Sequence, residues 1–350
     1  FFLIRNEQTC MPKFKKFLKK DDVIGVTAPS AGFIEQADLT RLESARLNLS
    51  ERGYELIETD NVRKCYKGRS STGKKRAEEF LSLIENKDVK YIVSTSGGDF
   101  LMEMLEYLDY DKIKANPKWI QGYSDNTGLI YPITTICDMA TVYSGNIGDY
   151  GMSLWHAAVR NNLKILEGND IVQKEFDLYE NEYVKKITGF EGYNLTEKVK
   201  YEFVSENKAE SFSGRLLGGC LDVLIMLCGT RYDRTVDFVR KYKEEGIVWY
   251  LESFALSSAR LQCALWQLRE AGWFEGAKGF LFGRPCFFTE EYETDFNESV
   301  KTALDDLNLP IITGCDIGHR PPRLTMINGL KAEIKFDGEH FEMRYPEVRG

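Results

Sequence analysis

The first half of the chain alternates short apolar runs with segments whose apolar residues recur at helical spacing. The apolar runs predict strands at 23–28, 54–58, 89–94, 119–121 and 140–144. The helical spacing predicts helices at 38–52, 74–86, 100–108 and 126–136. Strands that are apolar throughout are typical of parallel sheets covered by helices on both faces. The pattern therefore predicts an α/β fold with a parallel sheet in this half.

The second half shows a similar alternation after a less regular stretch. Residues 215–222 are expected to open an apolar helix that reaches Leu227. Further strands are predicted at 246–251, 279–282, 310–314, 330–336 and 340–344, and further helices at 258–271 and 290–307. We therefore divide the chain into a first domain at 11–150, a connecting region at 151–213 and a second α/β domain at 214–350.

Turns rich in Ser, Gly and Asp follow three strands of the first half, at 29–32, 94–99 and 122–125. In parallel sheets, ligands bind beyond the carboxyl ends of the strands. Ser124 stands between a predicted strand and a predicted helix, which is the context that exposes a nucleophilic hydroxyl. The alternative is that Ser124 only caps the helix. Asn126 also stands where the G-x-S-x-G elbow has its last glycine.

Composition narrows the possible functions. The net charge of −8 argues against a general nucleic-acid binder. The sequence contains no run of about 18 apolar residues, so no membrane span is predicted. Eight cysteines without a C-x-x-C pair fit buried thiols in a reducing compartment, and their spacing with the three histidines fits no metal site. No Walker motif or G-x-G-x-x-G fingerprint occurs, so no cofactor is predicted. We expect a cytoplasmic protein that starts at Met11 without a secretion signal.

Two other strand ends carry groups that can activate a serine. His319 lies in a loop after an apolar strand, and Glu252 ends another strand. Ser124, Glu252 and His319 therefore occur in the order nucleophile, acid, histidine, which is one of the known triad orders. In such a triad the histidine accepts the serine proton and the carboxylate fixes the histidine tautomer. The structural alternatives are an ordinary loop histidine and a capping or salt-bridged glutamate.

Neighbouring groups complete a hypothetical hydrolytic site. The backbone amide of Asp125 is one candidate oxyanion donor, and the turn containing Gly97 and Gly98 offers the other, because glycine lets the backbone approach a ligand closely. Gly97, Arg320 and Arg323 are the candidate substrate-binding residues, and the two arginines could hold a substrate carboxylate, since guanidinium groups bind carboxylates by paired hydrogen bonds. The alternative is that both are solvated loop arginines.

Five short motifs occur along the chain: S-T-S-G-G-D at 94–99, L-D-Y-D-K-I-K-A-N-P-K at 108–118, G-Y-S-D at 122–125, G-R-L-L-G-G at 214–219, and G-H at 318–319 followed by L-T at 324–325. Their combination resembles the LD-carboxypeptidase family of serine peptidases, with matching order and spacing over roughly 21–345. Ser96 stands where classical cell-wall recycling members tend to have arginine, which favours the branch of microcin self-immunity proteins.

The resemblance implies a Ser-Glu-His triad at Ser124, Glu252 and His319, with oxyanion donors at the amides of Gly98 and Asp125. It implies a Rossmann-like first domain that carries the serine. It also implies a second α/β domain, with a mixed or barrel-like sheet, that carries the acid and the histidine. Members of the family are commonly cytoplasmic homodimers that need no metal.

The resulting hypothesis is a serine carboxypeptidase or amidase that works through an acyl-enzyme and uses no cofactor. Its expected substrate is a small murein-type peptide or a microcin-like peptidyl or aminoacyl nucleotide. A homodimer is expected, whereas nucleic-acid and membrane partners are not. One alternative is a non-catalytic binding module on the same scaffold, since fold does not fix function. Another is an esterase or amidase of different specificity.

Overall fold

The computed structural model describes residues 17–182 and 184–348, which form two main sheets flanked by helices. The strands are β1 Val23–Thr27, β2 Glu55–Glu58, β3 Val89–Ser94, β4 Trp119–Gly122, β5 Thr141–Tyr143, β6 Gln173–Lys174, β7 Leu178–Tyr179, β8 Glu197–Lys198, β9 Glu202–Phe203, β10 Ser211–Cys220, β11 Ile247–Glu252, β12 Ala277–Gly283, β13 Ile311–Cys315, β14 Met326–Asn328, β15 Lys331–Phe336 and β16 Phe341–Arg344. This architecture confirms the predicted mixed α/β fold class. The predicted start at Met11 lies outside the described residues.

The α-helices connect these strands and cover the sheets. They are α1 Gln36–Ser50, α2 Gly73–Glu85, α3 Tyr110–Ala115, α4 Thr127–Cys137, α5 Ala157–Leu166, α6 Leu221–Leu227, α7 Thr235–Lys241, α8 Ser258–Glu270 and α9 Phe296–Leu304. Shorter 3-10 segments lie at Leu101–Tyr107, Ser124–Asn126, Ile147–Gly151 and Asp305–Leu307. None of the helices in the described parts of the chain is long and apolar enough to cross a membrane.

The first sheet has the strand order β14-β5-β4-β3-β1-β2. Strands β1 to β5 pair in parallel. The apolar runs of β1, β3 and β4 are buried almost throughout, as expected when helices cover both faces of a parallel sheet. The five strands predicted in this half are therefore confirmed, and their ends differ from the prediction by at most one residue.

The second sheet is mixed, with the order β6-β16-β15-β10-β11-β12-β13-β9. Strands β10 to β13 are parallel, whereas β15 joins β10, and β9 joins β13, in antiparallel pairs. All six residues of the central strand β11 are buried. Its last residue, Glu252, is thereby carried to the carboxyl edge of the parallel strands, inside the protein.

The predicted helix at 215–227 is wrong over its first half. Ser211–Cys220 is strand β10, and helix α6 begins only at Leu221. A short apolar run does not by itself distinguish a buried strand from a buried helix. Gly218 allows β10 to pair with β11, because a Cβ at this position would lie 1.7 Å from the carbonyl oxygen of Tyr250 on β11. Only glycine permits the two strands to approach so closely.

Two other predicted helices differ in type or length. The segment predicted at 100–108 is a 3-10 helix, Leu101–Tyr107. The helix predicted at 290–307 begins only at Phe296, where the Asp295 carboxylate accepts the N–H of Glu298 at 2.8 Å and caps the helix. Residues 291–294 precede this cap and form a turn closed by an isolated bridge between Glu291 and Thr294.

Strand β14 connects the two sheets and was not predicted from the sequence. It pairs antiparallel with β5 at the edge of the first sheet. The side-chain oxygen of its buried Asn328 accepts the N–H of Gly218 at 3.0 Å and the hydroxyl of Tyr250 at 2.8 Å. Both donors belong to the second sheet. The segment at 214–350 therefore supplies an edge strand to the first sheet and a polar connection between the two.

Replacing Asn328 with alanine should lower the free energy of unfolding by about 2–4 kcal/mol, because two buried donors lose their acceptor. Equilibrium urea unfolding measures this change. The exposed Asn169, replaced in the same way, should change stability by less than about 0.5 kcal/mol. Wild-type stability in Asn328→Ala would contradict a connecting role for this side chain.

Candidate active site

Ser124 lies at the junction of β4 and α4 in a strained backbone conformation. Its φ of 63° falls in the left-handed region, which a non-glycine residue rarely adopts. The side-chain amide of Asn126 fixes the turn by donating to the carbonyl oxygens of Ser96 at 2.9 Å and Tyr123 at 3.1 Å. This strand–turn–helix geometry resembles a nucleophile elbow.

The structure brings Ser124, Glu252 and His319 together. The Nε2 atom of His319 lies 2.9 Å from the Ser124 hydroxyl oxygen, and its Nδ1 atom lies 2.9 Å from a Glu252 carboxylate oxygen. Ser124 follows β4 of the first sheet, whereas Glu252 ends β11 and His319 follows β13 of the second. The three groups therefore meet where the carboxyl ends of strands from both sheets converge.

Gly318 allows the histidine loop to pass over the carboxylate. Its φ is 94°, and a Cβ at this position would lie 2.5 Å from the Glu252 Cγ. Any side chain would therefore both strain the backbone and collide with the acid. We conclude that glycine directly before His319 is a steric requirement of this arrangement.

Glu252 is a buried carboxylate that stays ionised. It is 1% exposed. Burial raises its pKa, but the charge and hydrogen bond of His319, together with hydrogen bonds from Tyr143 and Cys220, outweigh burial and hold the pKa below its ordinary value. An ionised acceptor next to Nδ1 keeps a proton on that nitrogen. The Nε2 atom can then accept the proton of Ser124.

Tyr143, the last residue of β5, joins the acid to the serine turn. Its hydroxyl donates to the second carboxylate oxygen of Glu252 and accepts the backbone N–H of Ser124 at 3.3 Å. Burial, and then the charge of Glu252, raise the pKa of Tyr143 well above its usual range, so the hydroxyl keeps its proton. Sequence analysis missed this residue because an aromatic side chain in an apolar strand normally belongs to the core. Its place at the carboxyl end of a parallel strand was the available signal.

Gly97 lies against the serine turn, whereas Gly98 lies against the neighbouring Ser30. A Cβ at Gly97 would lie 2.8 Å from the Ser124 hydroxyl oxygen and 3.5 Å from the amide nitrogen of Asp125. A Cβ at Gly98 would lie 2.3 Å from the hydroxyl oxygen of Ser30, which itself donates to the Asp125 carboxyl at 2.5 Å. Gly97 thus allows its turn to approach Ser124, and the amides of Gly98 and Asp125 remain the predicted donors.

Both predicted substrate-binding arginines are engaged inside the protein. Arg323 is 6% exposed and donates to the carbonyl of Gly318 at 2.5 Å and to Asp149 at 2.9 Å. Arg320 donates to the carbonyl of Cys286 at 2.7 Å. These contacts hold the loop that carries the histidine. Arg320 is nevertheless only partly buried and its Nε atom has no hydrogen-bond partner, so substrate binding by the two arginines stays a prediction.

The remaining histidines lie outside this cluster. His156 accepts the N–H of Ala158 at 3.2 Å at the start of α5, and burial lowers its pKa. His340 is exposed and lies 3.3 Å from Glu175. Over residues 17–182 and 184–348, no group of three or more His, Cys, Asp or Glu side chains is arranged to hold a metal ion.

The arrangement contains the groups of a serine hydrolase, and comparison with known families decides which kind. Models of the LD-carboxypeptidase N-terminal domain and C-terminal domain match residues 24–144 and 213–334. The chain belongs to the LD-carboxypeptidase family. It is therefore a serine peptidase with carboxypeptidase or amidase function, as the motifs indicated.

Individual members of the LD-carboxypeptidase family and related structures agree with this assignment. The chain is 29% identical over 303 residues to the microcin C7 self-immunity protein MccF of Escherichia coli, covering 84% of this chain and 85% of MccF. A structure of MccF in complex with aspartyl sulfamoyl adenosine matches with a TM-score of 0.82 and 25% identity over 97% of this chain and 100% of that chain. A muramoyltetrapeptide carboxypeptidase from Oxalobacter formigenes shares the fold, with a TM-score of 0.73 and 20% identity over 94% of this chain and 100% of that chain.

Replacing Tyr143 with phenylalanine should slow the reaction of Ser124 with a fluorophosphonate by about 10- to 100-fold, the loss expected for a hydrogen bond to a charged group. The variant should also change the pH dependence. The hydroxyl lowers the pKa of Glu252, so without it the carboxylate is protonated at a higher pH. As the pH is lowered, the variant should then lose its activity at a higher pH than the wild type does, because the reaction requires the ionised carboxylate.

The matched control is Tyr131→Phe. Tyr131 is equally buried, but its hydroxyl lies 2.9 Å from Thr235 instead of a carboxylate. This variant should keep the wild-type pH profile of labelling. If Tyr143→Phe also kept that profile, Tyr143 would contribute to packing and not to the state of Glu252.

Proposed function

We propose that this protein hydrolyses an amide bond by nucleophilic catalysis with Ser124, His319 and Glu252. The observation that carries the proposal is the unbroken line of contacts, 2.9 Å from the Ser124 hydroxyl to His319 and 2.9 Å from His319 to Glu252. Nε2 accepts the hydroxyl proton while the serine oxygen attacks the carbonyl carbon, and the carboxylate stabilises the imidazolium that forms. The imidazolium then protonates the leaving nitrogen, and an acyl ester on Ser124 remains.

Water completes the reaction in a second step. A water molecule transfers a proton to Nε2 of His319 and attacks the ester, which releases a carboxylic acid and restores the serine. The amides of Gly98 and Asp125 are the proposed donors to the oxyanion in both steps. Donors that are fixed before the reaction stabilise the developing charge without reorganising. The proposal needs no cofactor.

As substrate we propose a small aminoacyl or peptidyl nucleotide. This choice is supported by the similarity to MccF, which extends over the greater part of both chains. One structure of MccF is a complex with aspartyl sulfamoyl adenosine. A murein-type L,D-tetrapeptide is the second candidate, because the domain models that match this chain are those of LD-carboxypeptidases.

Assembly and location are further parts of the proposal. We infer that segments 11–150 and 214–350 act as two domains joined by 151–213, and that the active site lies between them. In support, Ser124 comes from the first segment and Glu252 and His319 from the second. We also expect a homodimer in the cytoplasm, on the basis of the family resemblance.

Incubation with an aminoacyl-sulfamoyl adenosine and, separately, a murein L,D-tetrapeptide should identify the substrate by mass spectrometry. We expect cleavage of the nucleotide conjugate, and a loss of at least about 1,000-fold in Ser124→Ala, because a triad without its nucleophile retains little activity. The exposed Ser153, replaced by alanine, should leave the rate unchanged.

Each outcome of this experiment separates one hypothesis. Cleavage of only the tetrapeptide would replace the proposed substrate and keep the mechanism. Turnover at the wild-type rate by a folded Ser124→Ala variant would remove Ser124 from the mechanism. In a separate labelling experiment, failure of a fluorophosphonate to react with the wild type would favour the non-catalytic binding module.

The rate constant kcat/KM should rise with pH, because His319 must be neutral to accept the proton of Ser124. The pKa of Glu252 is held low, so protonation of the acid affects the rate only at a lower pH. His319→Gln should abolish this rise with pH and nearly all activity, whereas His156→Gln and His340→Gln should retain both. Loss of the rise with pH in His156→Gln would disprove the assignment of His319 as the general base.

A further inference from the structure

Phe254 and Phe287 form a half-exposed aromatic pair beside His319. The two rings meet edge to face with 5.1 Å between their centres, and the centre of the Phe254 ring lies 4.5 Å from that of the His319 ring. Phe254 is 36% exposed and Phe287 is 52% exposed. The proposed chemistry uses neither side chain. Large aromatic surface left open beside reacting groups is typical of a ligand-contact surface.

The backbone holds this pair in place without burying it. The N–H of Phe287 donates to the carbonyl of Phe254 at 2.7 Å. The carboxylate of Asp222 accepts the N–H of Phe254 at 2.9 Å and that of Ala255 at 3.0 Å. The segments that carry the two rings are therefore tied to each other and to the start of α6. A fixed surface binds a ligand with less loss of conformational entropy than a mobile one.

The acidic side chains near the pair already have partners inside the protein, and the nearby arginines also make internal hydrogen bonds. Asp222 accepts backbone N–H groups, and Glu252 is hydrogen-bonded to His319. Arg320 and Arg323 donate to backbone carbonyls of their own loops or neighbouring loops. The surface presented by Phe254 and Phe287 is consequently suited to an apolar group rather than to a charged one.

We propose that Phe254 and Phe287 form a subsite for an aromatic or large aliphatic side chain of the substrate near the scissile bond. The Phe254 ring packs on the imidazole that contacts Ser124, so the subsite lies within about two residue lengths of the reacting carbonyl, at ~3.8 Å each. This inference rests on the proposed function, because Ser124 defines the reacting centre. Burial of such a side chain should favour its substrate by about 10- to 100-fold over one with a methyl group.

Two fluorophosphonates test this subsite independently of the natural substrate. They share the reacting phosphorus and differ in one substituent, methyl in one and benzyl in the other. Labelling forms a bond from the Ser124 oxygen to phosphorus and expels fluoride, while the hydroxyl proton passes to His319. Each labelling rate is divided by the rate of hydrolysis of the same probe in buffer, which removes differences in intrinsic reactivity.

We expect the benzyl probe to label the wild type at least about 10-fold faster than the methyl probe after this correction. In Phe287→Ala the ratio should fall towards one, whereas Phe287→Leu should keep most of it because an apolar wall remains. A purely structural defect would lower both rates and preserve the ratio. Phe287 is chosen over Phe254 because Phe254 also packs on His319. Tyr292, an aromatic residue that is 87% exposed, provides the control Tyr292→Ala, which should keep the wild-type ratio.

Three results would overturn the subsite. Equal corrected rates in the wild type, or an unchanged ratio in Phe287→Ala, would remove the subsite and leave the proposed function in place. An absence of labelling by both probes would remove the proposed nucleophile, and the subsite with it. The ratio and the absolute rate therefore distinguish failure of this inference from failure of the proposed function.

Discussion

The burial of the Glu252 carboxylate between the two sheets is the constraint on which the site depends. An isolated charge in a protein interior costs several kcal/mol unless partners replace its water. The partners here are His319, from a loop after β13, and Tyr143, from β5. Because one partner comes from each sheet, the acid has both of these hydrogen bonds only when both sheets are in place. Assembly of the site therefore depends on both sheets.

Much of this arrangement follows from simple patterns in the sequence. The parallel strands were predictable because each is apolar over its whole length, which happens when both faces are covered. Ser124, Glu252 and His319 were candidates because each follows or ends an apolar strand, where ligands bind in parallel sheets, although each also had a structural alternative. The order of the three then indicated a triad.

Other features depend on contacts that a linear pattern does not encode. Strand β10 was predicted as a helix because a short apolar run fits either structure. The need for glycine at position 218 is visible only in the structure, where the backbone of Tyr250 leaves no room for a Cβ. Tyr143 resembled a core residue because nothing near it in sequence shows that its hydroxyl meets a carboxylate. The contact of Arg323 with Asp149 was not predictable because the two residues lie far apart along the chain.

Strand β14 has a consequence for how the protein is made. The first sheet obtains its last strand from residues 326–328, which are synthesised after every parallel strand of the second sheet. Until those residues emerge from the ribosome, β5 is an open edge with unpaired N–H and C=O groups, which is a template for association with other chains. The usual order, in which an N-terminal domain folds first during synthesis, cannot finish this sheet. The first sheet is therefore completed only after the parallel strands of the second sheet have been synthesised.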